Sequence, residues 1–96
     1  MPYAPRIVLH SLSGAPQGIE ALIEAFLKDG VKFVGVVGKN AAHIEDLVDE
    51  VVAGDGTDDS RFLLTSSHEG ETLEEAVEFA HNLSNEYGNG LQIVEV

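Results

Sequence analysis

Two periodicities alternate along this chain. Arg6–His10, Val31–Val37, Arg61–Ser67 and Leu91–Val96 are short runs of strand character. Between them, apolar residues recur every three or four positions. Ile19, Leu22, Ile23, Phe26 and Leu27 form one such stripe, with Glu20, Glu24 and Lys28 outside it and Gly30 ending the helix. Ile44, Leu47, Val48 and Val51 form a second, with Asn40 placed to cap it. The third stripe is Leu73, Ala76, Val77, Ala80, Leu83 and Tyr87, with Glu74, Glu75, Glu78, His81, Asn82 and Glu86 pointing the other way. Thr72 and Glu75 have the spacing of a capping box, so this helix starts at Thr72. Gly88-Asn89-Gly90 stops it before the last strand.

The order β-α-β-α-β-α-β predicts an α/β fold: a three-layer α/β/α domain over residues 1–96 with a mostly parallel, four-stranded sheet and right-handed crossovers. Val31–Val37 is apolar at both parities, as a strand covered on both faces would be. A sheet with all its helices on one face would leave that strand half bare. The expected strand order is therefore 2-1-3-4, half of a flavodoxin-like sheet. It puts the first helix on one face and makes the second and third neighbours on the other.

Charge changes the picture more than composition does. Seventeen acidic and five basic side chains give a formal charge of −12, and residues 40–96 hold fourteen of the acids with Arg61 as their one Lys or Arg. Such a balance repels phosphate backbones and anionic lipid, so neither nucleic acid nor membrane is an expected partner. The expected surface is an acidic interaction face made by Glu45, Asp46, Asp49 and Glu50 of the second helix and Glu74, Glu75 and Glu78 of the third. It would steer a basic protein toward the domain. The absence of cysteine removes disulfides and thiolate metal sites. The first residues have no basic segment leading into an apolar one, and no apolar run is long enough to span a bilayer, so a cytoplasmic location is expected.

Candidate chemistry collects where the strands end. Ligands of open α/β sheets bind at the C-terminal edge, which here would carry His10, Ser11, Ser13, Lys39, Asn40, Ser67, His68 and Glu69, with Thr65 and Ser66 just before them. His10, His43 and His68 would be the metal candidates if they converged, with Glu69 or Glu71 as carboxylate partners. Ser11-Leu12-Ser13-Gly14 resembles the opening of a flavodoxin phosphate loop. It departs at Pro16, which offers neither hydroxyl nor amide proton, and reads as a Ser/Gly/Pro turn. Asp55, Asp58 and Asp59 form an acidic loop without the ligand ladder of an EF-hand. No Walker loop, His-Glu-x-x-His helix or nucleophile elbow is present, and no cofactor is implied. The chain thus reads as a non-catalytic protein-interaction module, with a small-ligand, anion or metal-binding protein, or an enzyme, using the sheet's C-terminal edge as the alternative. Leu91–Val96 is expected to be an edge strand through which two copies of the chain pair, unless Gln92 and Glu95 discourage it.

Overall fold

A computed structural model describes residues 3–13, 18–54, 63–83 and 88–96. Four strands, β1 (Arg6–Ser11), β2 (Phe33–Gly38), β3 (Leu64–His68) and β4 (Leu91–Glu95), alternate with three helices, α1 (Ile19–Lys28), α2 (Ala41–Ala53) and α3 (Leu73–His81). All strand pairs are parallel, in the order β3-β2-β1-β4. The α/β architecture is the one the sequence predicts, with helices on both faces. Its order is similar to the expected 2-1-3-4 in pairing β1 with β2 and turning back once. The difference is that β3 adds outside β2, and β4 takes the free side of β1.

Side-chain parity shows what this does to the layers. Ile7 and Leu9 of β1 and Val34 and Val36 of β2 pack with Ile19, Ile23 and Phe26 of α1 and Ala41, Ile44 and Val48 of α2. On the other face Val8, Phe33 and Val37 pack with Ala76 and Ala80 of α3. The first two helices therefore share one face, and α3 is the one described helix on the opposite face. The expected side-by-side placement of α2 and α3 is overturned. Its physical reason lies in polarity: β1 and β2 are almost wholly buried, whereas β3 (Leu-Thr-Ser-Ser-His) and β4 (Leu-Gln-Ile-Val-Glu) carry polar residues that an edge tolerates.

Backbone bonding finishes the ends of the helices. At the end of α1, Gly30 N–H donates to Leu27 and Val31 N–H to Phe26, a Schellman pattern that turns the chain into β2. The α3 capping box is complete: Thr72 Oγ1 accepts from the Glu75 amide at 3.2 Å and Glu75 Oε1 from the Thr72 amide at 3.0 Å. Asn40 occupies the N-cap position of α2 in the left-handed conformation, φ 54°, and its side chain makes no capping bond. The third helix ends at His81, and Tyr87 of the expected stripe lies outside the described residues. Buried Arg6 explains the stop, because its guanidinium donates to the Ala80 and His81 carbonyls at 2.9 and 3.1 Å and takes the place of a further turn.

Gly38, at the end of β2, has φ 105°, and a Cβ there would overlap the Ser11 carbonyl oxygen. Gly38→Ala is expected to cost at least about 2 kcal/mol, the left-handed strain and the backbone collision together. Urea unfolding checks it, and an unchanged midpoint would mean that the two strand ends are not held this close.

Candidate functional site

The sheet has one point where the chain leaves adjacent strands toward opposite faces. From β2 it passes to α2 on one side, and from β3 to α3 on the other, so the crevice of an open α/β sheet lies at the C-terminal ends of these two strands. Lys39 and Asn40 on one lip and Glu69 on the other are exposed. Ser67 is half-buried and shares register with Val36, hence the α2 face, while His68 shares register with Val37 and the α3 face.

Local sequence explains how His68 is held. His68-Glu69-Gly70-Glu71 is a tight turn in which the Glu71 amide donates to the His68 carbonyl at 3.0 Å. Gly70, with φ 83°, supplies the positive angle that a type II turn needs in its third place. The turn folds Glu71 back until its Oε1 lies 3.3 Å from His68 Nδ1. The other ring nitrogen, Nε2, meets Ser66 Oγ at 2.8 Å, and the Phe79 ring stands against the imidazole at 4.9 Å. His68 is 4% exposed, and both of its nitrogens have partners. Ser66 and Glu71 are thus its partners. The sequence signals were the i, i+2 spacing on a strand for Ser66 and the Glu-Gly-Glu turn for Glu71.

The remaining edge residues do not join this cluster. His10 is on the α3 face of β1, with β2 between it and β3. Its Nδ1 is 3.9 Å from Glu95 Oε2, beyond hydrogen-bond reach, and has no hydrogen-bond partner. His43 is exposed on α2, which covers the other face. The three histidines accordingly form no common ligand set. Ser11 is buried at the end of β1, and Ser13 is exposed. The Leu12 and Ser13 amides donate to the Val96 carbonyl at 2.8 and 3.3 Å, so the loop's first amides are spent on β4 rather than presented to an anion. The rest of that loop, Gly14 to Gln17, and the acidic loop with Asp55, Asp58 and Asp59 lie outside the described residues.

The acidic residues fall into two surfaces. Asp46, Asp49 and Glu50 are exposed and Glu45 is half-exposed on α2; Glu74, Glu75 and Glu78 are exposed on α3 across the sheet. On α2, ligand oxygens of Glu45, Asp46 and Asp49 come within 4.8 Å of one another, and Asp49 Oδ1 accepts from Thr65 Oγ1 at 2.7 Å. Among the described residues, no Lys or Arg forms an ion pair with any of these seven carboxylates. Like charges so placed repel through water. The melting temperature is therefore expected to rise as NaCl goes from about 0.01 to 0.5 M, over which the Debye length shrinks severalfold. A flat or falling dependence in a thermal melt would show that the repulsion is already compensated.

A family model described as Domain of unknown function (DUF7684) matches residues 4–95, and the chain belongs to that family. No curated protein and no solved structure matches it. Among the described residues, no helix is long and apolar enough to cross a membrane.

Proposed function

We propose that this domain is a protein-interaction module whose acidic surface meets a basic partner in the cytoplasm. The observation that supports it is the run of four carboxylates on α2 without a cationic neighbour among the described residues. Three of them converge to within 4.8 Å, which concentrates negative potential at one place and suits a guanidinium or ammonium group arriving from outside. Since α3 lies on the far side of the sheet, its Glu74, Glu75 and Glu78 act on the approach of the partner through the field and not through the same contact. A purely solubilising role for the acids is the competing account.

Charge reversal on α2 separates the two. Capture of interaction partners from the source cells should yield basic proteins that dissociate at high salt, and Asp46→Lys with Glu50→Lys should abolish it. The pair Glu74→Lys and Glu78→Lys should slow association with a smaller effect on dissociation, read by biolayer interferometry. Capture that is indifferent to the α2 reversal would overturn the reading.

Self-association is a second expectation, favoured by β4. This strand is a sheet edge, and Ile93 on it is 45% exposed. Two copies pairing along β4 would cover Ile93 and bond the free backbone groups. Light scattering should then show a dimer that Ile93→Lys converts to a monomer; a monomer at all concentrations would exclude the pairing.

A further inference from the structure

The hydrogen-bonded row Ser66, His68, Glu71 has a direction. An ionised carboxylate accepts and has no proton to give. With the ring neutral, Glu71 therefore fixes the proton on His68 Nδ1, and Nε2 keeps its lone pair. The Ser66 hydroxyl, 2.8 Å away, must then be the donor. The sequence of bonds is O–H to N and N–H to carboxylate, the order in which a hydroxyl is made nucleophilic by an oriented imidazole. Burial reinforces it, because His68 is 4% exposed and the Phe79 ring, packed edgewise on it, limits its rotation.

The surroundings of Ser66 suggest what it would act on. Gly35 is its register partner on β2, and a Cβ there would stand 3.3 Å from Ser66 Oγ and 3.0 Å from the Phe33 ring. The glycine thus leaves the hydroxyl uncrowded on that side. Phe79, 45% exposed and packed against the His68 ring, offers an apolar surface beside the hydroxyl, with fully buried Phe33 behind it at a ring-centre distance of 6.0 Å. Ser66 itself is half-buried. We propose that Ser66 is an activated nucleophile and that this part of the sheet takes small esters with an apolar acyl group. The proposal uses none of the α2 and α3 carboxylates and stands independently of the binding role.

The step balances without any co-reactant but water. Ser66 Oγ forms a bond to the acyl carbon while its proton passes to His68 Nε2, and the imidazolium is held by Glu71. The bond to the alcohol or phenol oxygen breaks, and that oxygen leaves with the electron pair and takes the proton back from His68 Nε2, which returns the ring to its neutral form. Water then attacks the acyl-serine, giving a proton to His68, which returns it to Ser66 Oγ as the carboxylic acid product departs.

The test is p-nitrophenyl acetate on the full chain, followed by absorbance and by mass spectrometry of the acylated peptide. The expected result is a burst of one p-nitrophenolate per chain and an acetyl group on Ser66. Ser66→Ala, which removes a single oxygen, should lose both. Glu71→Gln, on an exposed turn outside the core, should slow acylation by about tenfold or more, because the ring is no longer held in one tautomer. Acetylation confined to lysines or the amino terminus and unchanged in Ser66→Ala would overturn the proposal, and so would a Glu71→Gln rate equal to that of the wild type.

Discussion

Everything in this structure follows from the need to cover two strands on both sides. Ile7, Val8 and Leu9 of β1 and Phe33, Val34, Val36 and Val37 of β2 are at most 1% exposed, and each contributes about 1.5–3 kcal/mol when taken from water. No surface charge term competes with that, since an exposed ion pair is worth about 0–1 kcal/mol. The two strands must therefore be central, and helices must lie on both faces. Burying them leaves β3 and β4 as edges; in the observed order the chain reverses direction once, and α3 is the one described helix on its face. The acidic load of the second half of the chain is carried on whatever surface this arrangement leaves outside.

That hierarchy also decides where chemistry is possible. Because β2 and β3 send their helices to opposite faces, their C-terminal ends are the topological switch point of the sheet, and the turn after β3 folds Glu71 onto His68. A single helix covers a four-stranded face less completely than two do. Ile93 of β4 and Phe79 of α3 itself are both 45% exposed on this side. The other face, closed by α1 and α2, carries the exposed carboxylates of α2. The two proposed activities thus belong to opposite sides of one sheet and need not interfere.

Much of the fold was legible in the chain. The seven elements, the capping box at Thr72 and the two-sided burial of the second strand follow from local spacing and polarity, which are written residue by residue. The polarity of Leu-Thr-Ser-Ser-His fits an edge and that of Phe-Val-Gly-Val-Val a centre, but this does not say which central strand each edge strand joins. At the site, His68 and the residues beside it were visible as strand-end polar groups. The capping of α3 by Arg6, seventy-four residues away from Ala80, had no local signature.

By itself, then, the sequence determined the type and order of the elements, the faces they bury and the sign of the surface. These depend on spacings within one turn or one strand. Tertiary structure alone decided that the acids of α2 and α3 form two surfaces rather than one, that His10, His43 and His68 stay apart, and that Ser66, His68 and Glu71 line up. Each of those depends on which strand lies beside which or on the rotation of a side chain within a turn. Pairing between strands is chosen by the burial of the whole sheet, a sum over the chain that no local pattern contains.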